Sequence, residues 1–170
     1  ERLFSELNKL LTGKDAERVL LEYGDVIGVF IPDIVPAIGF PQYGKKHAYD
    51  VWEHICHTVG AVPASKTLRL SMLLHDLGKI PTAALNENGD SIFPEHAAVG
   101  AAMAEKTLLS LKSDKKTVAS VVKLIALHDF EIPVTRTDAR RLLKRVPPDE
   151  FRQLLAIKTA DRGALAPAYR

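Results

Sequence analysis

Apolar residues recur at the helical period along almost the whole of this 170-residue chain, and that period, not the alternation of a strand, restricts it to a helical fold. Leu3, Leu7, Leu10 and Leu11 make one such face, Val19, Leu20 and Tyr23 a second, and Val51, Ile55 and Val59, with Trp52 and Cys56 alongside, a third. Turn residues cut the pattern at Gly13, Gly24, the Pro32 to Pro41 stretch, Gly60 with Pro63, Pro81, Asn88-Gly89, Pro94, Pro133 and Pro147-Pro148. The spacing predicts two short helices over about 1–23, a Pro/Gly-rich connector over 24–46, and helices over about 47–60, 65–77, 95–112, 115–129, 136–145 and 148–164. Asp149 and Glu150 suit the positive end of the last helix. Short extended pieces are expected only around "NENGDSIF", where Asn88-Gly89 makes a tight turn. The reading is therefore all-α, a helical bundle, with residues 1–46 as a helical connector and 47–170 as the main domain.

Such a bundle needs an apolar interior, and 46% hydrophobic against 26% charged residues supplies one for a single compact domain. Lys+Arg 23 against Asp+Glu 21 leaves a formal charge of +2, too slight to argue for nucleic acid from the total. The single cysteine, Cys56, excludes an internal disulfide framework and reads as a buried structural thiol in a reducing compartment, with cytoplasm as the expectation. The longest apolar runs fall short of the roughly 18–20 residues of a membrane span. The chain opens at Glu1 directly in a helical pattern and stops at "ALAPAYR", and is expected to be part of a longer protein.

Against this background the stretch "RLSMLLHDLGKIP" is anomalous, because the most apolar point of a helix ends on His75 and Asp76. His54, His96, His128 and Asp161 lie at comparable places, on an apolar face or at the end of an apolar run. His54 shares its face with Val51 and Thr58, and with His47 one heptad earlier; Asp161 shares one with Leu154, Ile157 and Lys158. A buried carboxylate is costly unless it is paired, hydrogen-bonded or bound to metal. Imidazoles and carboxylates converging in a bundle core become tolerable around a divalent cation. Neighbouring residues point about 100° apart on a helix, so His75 and Asp76 can bracket one ion only near a helix end. Gly78 is expected to let the backbone turn there, and Pro81 to stop the helix.

Each residue alone has a plainer reading. A His-Asp pair caps a helix, His96 is an ordinary first-turn residue, His128 is a cation at a helix C-terminus, and Asp161 pairs with Lys158 or Arg162. Together these require five coincidences, and the shared-metal reading requires one cause.

"VWEHICHTV", "LLHDLGK" and "TADRG" resemble the HD family of metal-dependent phosphohydrolases, whose H…HD…D pattern maps onto His54, His75-Asp76 and Asp161. "FPEHAAVGAAMAE" and "IALHDFE" resemble the additional histidines of HD domains that hold two metals, here His96 and His128. "KKHAYDVWEH", "LLHDLGKIPTAALNENGDSIFPEHAAVGA" and "RRLLKRVPPDEFRQLLAIKTADRGA" are similar to the C-terminal HD region of bacterial tRNA nucleotidyltransferases of the CCA-adding and poly(A) polymerase type. The leading segment through Asp33 resembles the helices after the catalytic head of those enzymes. That head carries a Gly-Ser turn and an Asp-x-Asp pair, and neither occurs here, so this chain alone is not expected to add nucleotides.

The resemblance implies an accessory hydrolysis of phosphate esters such as 2′,3′-cyclic nucleotides and nucleoside monophosphates. His54, His75, Asp76 and Asp161 are expected to hold a first metal, and Asp76 to bridge to a second held by His96 and His128. Nitrogen and oxygen donors suit Mn, Fe, Ni, Co, Zn or Mg without choosing among them, although imidazole disfavours Mg. Asp76 is expected to be catalytic as well as a ligand. Lys79 reads either as a phosphate-contacting charge or as a solvated lysine, and Arg162 is a weaker candidate for phosphate. His47 and His57 match no ligand position. The rival reading is a catalytically silent helical module that positions tRNA. For either, Arg136, Arg140, Arg141, Lys144 and Arg145 form a basic stripe that reads as a solvated helix face or as an RNA contact.

Overall fold

The computed structural model describes residues 2–131, 135, 137, 140, 144 and 146–169. Its helices are α1 (Arg2–Thr12), α2 (Ala16–Glu22), α3 (Gly24–Gly28), α4 (Val51–Ala61), α5 (Lys66–Leu74), α6 (Lys79–Thr82), α7 (His96–Ser110), α8 (Lys115–Leu127) and α9 (Pro148–Gly163). A two-stranded antiparallel hairpin, β1 (Ala84–Leu85) and β2 (Ser91–Ile92), is the expected small exception, with Gly89 at φ 80° in its turn. The all-α reading holds. The helix expected over 136–145 falls largely on residues outside those described, as do Arg136, Arg141 and Arg145; Arg140 and Lys144 are exposed.

Helices α4 and α5 form the centre of the bundle, with α2 against α4, α8 against α5, α7 against α8 and α9 across α4 and α5. Val51, Ile55, Cys56 and Val59 of α4 and Leu70, Met72, Leu73 and Leu74 of α5 are fully enclosed. Burial pushes the Cys56 thiol pKa up and keeps it an inert core group, as expected.

Three boundaries differ from the sequence reading. Helix α4 starts at Val51, not at 47, because Asp50 caps it. The Asp50 carboxylate accepts from the Glu53 N–H at 2.8 Å, and Glu53 reaches back to the Asp50 N–H. His47 therefore lies outside the helix and shares no face with His54. Next, the 24–46 segment is more than a connector: Ile27, Ile31, Ile34 and Ala37 enter the main core through α3 and a 3-10 turn over Pro32–Ala37. Finally, Pro81 does not end helical structure, since it sits in the first turn of α6, where its missing N–H has no helical partner to lose.

Candidate metal centre

Helix α5 ends at Leu74, and a tight turn over residues 75–78 then carries His75 and Asp76 inside the bundle. The apolar run before them explains their depth: Leu70 to Leu74 drive the helix end into the core, and the next two side chains follow. His54 is brought alongside by the buried face of α4, and Asp161 by the Leu154, Ile157 face of α9. His96 opens α7 and His128 caps the end of α8.

These six residues form two groups that share Asp76. In the first, Asp76 Oδ2 lies 3.3 Å from Nε2 of both His54 and His75. Asp161 Oδ1 is 2.9 Å from His54 Nε2 and 3.8 Å from His75 Nε2. In the second, Asp76 Oδ1 lies 3.7 Å from Nε2 of both His96 and His128, which are 3.2 Å from each other. The donor atoms of each group all fall within 4.8 Å of one another, close enough to hold an ion.

The histidines are pre-set for cation binding. Nδ1 of His75, His96 and His128 donates to the carbonyl three residues earlier, Met72, Phe93 and Ile125, at 2.8, 2.8 and 2.7 Å. That partner fixes the proton on Nδ1 and leaves the Nε2 lone pair facing inward. Two neutral imidazoles at 3.2 Å with facing lone pairs repel unless a cation or proton lies between them. Nε2 of His75 is moreover buried without a hydrogen bond. The residues present fit a divalent metal on this geometry and on their hard and borderline N/O donors.

In the protein without metal, protons and one lysine balance the charge. Burial disfavours the His75 imidazolium, but Asp76 and Asp161 outweigh burial and raise it to about 10. Asp76, also opposed by burial, is held well below the usual carboxylate range by His75 and Lys79, and Asp161 is lowered through His54 and His75. Burial, and then the positive His75, lower His128 to about 4.

Lys79 is not a solvated lysine. It is buried, with Nζ 2.7 Å from Asp76 Oδ2 and 2.9 Å from Gln42 Oε1, and it sits over the Phe93 ring. Nor does Gly78 supply an unusual backbone angle, since its φ is −64°. Its role is close approach: a Cβ there would strike the His96 carbonyl oxygen. His57 stands apart from the site, bonded to Glu17 at 2.7 Å as a link between α2 and α4.

The site is most open at Asp161. Asp161 is 32% exposed, whereas His54, His75, Asp76 and His128 are 1–4% exposed. A cleft of about 750 Å³ lies over Asp161, bordered by Lys46, Lys158, Arg162 and Tyr169. Arg162 was legible as an anion-binding candidate; Lys46, though within "KKHAYDVWEH", matched no role there, and Tyr169 belongs to no motif. Lys158 does not pair with Asp161, and its Nζ is 3.3 Å from the His128 carbonyl.

Residues 45–162 match the family model described as HD domain. The chain is 33% identical over 180 residues to a CC-adding tRNA nucleotidyltransferase of Thermus thermophilus, covering 99% of this chain and 41% of that protein. It is 26% identical over 195 residues to a bifunctional uridylyltransferase/uridylyl-removing enzyme of Phenylobacterium zucineum, covering 95% of this chain and 19% of that one. The chain thus spans less than half the length of either relative.

Proposed function

The chain belongs to the HD domain family, and from that premise we propose that it is a metal-dependent phosphohydrolase acting on nucleotide-type phosphate esters, such as 2′,3′-cyclic nucleotides and nucleoside monophosphates. The observation that carries the reading is the division of the two Asp76 oxygens between two histidine groups. A carboxylate used in this way serves a pair of cations. The similarity to a tRNA nucleotidyltransferase over almost the whole chain supports a place for this domain within a protein of that kind.

His54, His75, Asp76 and Asp161 would hold one divalent ion and Asp76, His96 and His128 a second, and such ions would supply Lewis acidity toward the phosphate and a more acidic bound water. The chain's own groups do the rest. The Nδ1 bonds to Met72, Phe93 and Ile125 keep the imidazoles oriented through the reaction. Gln42 holds Lys79 at Asp76, where its ammonium meets charge developing on the phosphate oxygens. Asp76 orients the attacking water; its oxygen forms a P–O bond, the ester P–O bond breaks, and the leaving oxygen takes the proton that the water gives up. Arg162, at the cleft, offers a second cation to the substrate phosphate.

Asp76→Ala tests this directly. The purified chain, supplied with Mn, Co or Ni, is expected to hydrolyse nucleotide phosphate esters, and the variant to lose that turnover while remaining helical by circular dichroism. Undiminished turnover in the variant overturns the reading.

A further inference from the structure

A second groove of about 510 Å³ adjoins the cleft over Asp161 and shares Lys46 and Tyr169 with it. Its other walls include Tyr43, Lys45 and His47 on one side and the β-hairpin segment, with Asn86, Asn88, Asp90 and Ser91, on the other.

The groove is built from fixed pieces. The Tyr43 N–H donates to Ser91 Oγ at 2.8 Å, and the Ser91 N–H donates to the Tyr43 carbonyl at 2.9 Å, so this strap is laced to β2. Gly44, at φ 115°, packs against Asp90, where a Cβ would stand 3.0 Å from its carboxylate. On the other side the Ala166 N–H donates to the Lys46 carbonyl at 2.9 Å, which brings the segment ending in Tyr169 against the strap. One residue before Tyr43, Gln42 is bonded to Lys79 and so to Asp76. The strap thus connects the metal centre to the groove. Among the described residues Lys45 and Lys46 form no ion pair, and Tyr43 is 54% exposed.

Two tyrosines, neutral amide groups and two unpaired lysines, with the one carboxylate of Asp90 against Gly44, match a flat, hydrogen-bonding heterocycle attached to an anion. We propose that this groove is a nucleoside subsite: with the substrate phosphate at the Asp161 end, the sugar and base cross Lys46 and lie between Tyr43 and Tyr169. The subsite rests on the phosphohydrolase reading for its orientation, and it sets a preference for nucleotides over small phosphate esters.

Calorimetric titration of AMP and of inorganic phosphate into the metal-loaded chain tests it, with Tyr43→Ala, Tyr43→Phe and Tyr169→Ala as variants. Stacking predicts that AMP binds about tenfold or more tighter than phosphate. Each alanine variant is expected to lose about tenfold for AMP, Tyr43→Ala with phosphate affinity unchanged because Tyr43 lies away from the Asp161 cleft, and Tyr43→Phe to keep the ring and the affinity. AMP binding no better than phosphate, or AMP affinity unmoved in Tyr43→Ala, overturns the subsite. Turnover is followed separately: AMP bound as predicted, without hydrolysis of any nucleotide ester, removes the phosphohydrolase reading and leaves the subsite standing.

Discussion

Gly78 and Gly100 lie backbone against backbone, so that a Cβ on Gly78 would run into Gly100 and the His96 carbonyl, and a Cβ on Gly100 would stand 2.9 Å from the His75 carbonyl oxygen. This contact clamps the turn carrying His75 and Asp76 onto the first turn of α7, and so sets the distance between the two histidine groups. Gly78→Ala forces that contact apart. The expected cost is about 1–3 kcal/mol by chemical denaturation, the range for overpacking a close-fitting interior. The second group, which needs His96 beside Asp76, is expected to bind metal more weakly in the same variant. An unchanged denaturation midpoint would show that the contact is not limiting.

Gly78 also marks what could and could not be seen in the sequence. The helical fold was legible because Leu70 to Leu74 and their counterparts repeat at one period, and the convergence of His54, His75, Asp76 and Asp161 was legible because charged groups interrupted those apolar faces. The glycine's purpose was not, since its partner, Gly100, is distant in sequence and its own φ is ordinary. The start of α4 was readable in principle from Asp50 and Glu53, a capping box that the upstream His47 obscured. The choice between a solvated and an inward-facing Lys79 was not legible, because nothing near it in sequence announces Gln42 or Phe93. Apolar residues of the 24–46 segment enter the core despite its prolines, because Ile27, Ile31 and Ile34 keep helical spacing through the breaks.

The pH dependence of the metal-free protein follows from groups displaced in opposite directions. His128 and His47 are each lowered to about 4, His128 by burial and then His75, His47 by burial and then Lys79. Unfolding lets them take up protons below about 6.5, so stability rises with pH between about 4 and 6.5. His75 is raised to about 10. Its contribution is complete below about 6.5 and is lost as pH rises toward 10, because the unfolded chain has already released the proton. Stability in chelator is therefore expected to peak near pH 6.5, as read from denaturant midpoints between pH 4 and 10. Metal replaces the His75 proton, so the alkaline decline should disappear in the loaded protein. A metal-free midpoint higher at pH 9 than at pH 6.5 would contradict the assignment of His75.

Asp76 is the only described residue that belongs to both ligand groups, and that asymmetry makes the number of ions per chain informative. His128→Ala removes one imidazole from the second group and leaves His54, His75, Asp76 and Asp161 untouched. Elemental analysis of protein purified without chelator is then expected to fall from two equivalents toward one. Asp76→Ala removes Oδ2 from the first group and Oδ1 from the second, which leaves His96 and His128 as the whole of one site. Both equivalents should be lost, together with the added thermal stability that metal confers through binding only the folded chain. If Asp76→Ala retains as much metal as His128→Ala, the carboxylate does not join the two groups, and the cations are held by histidines independently on either side of it.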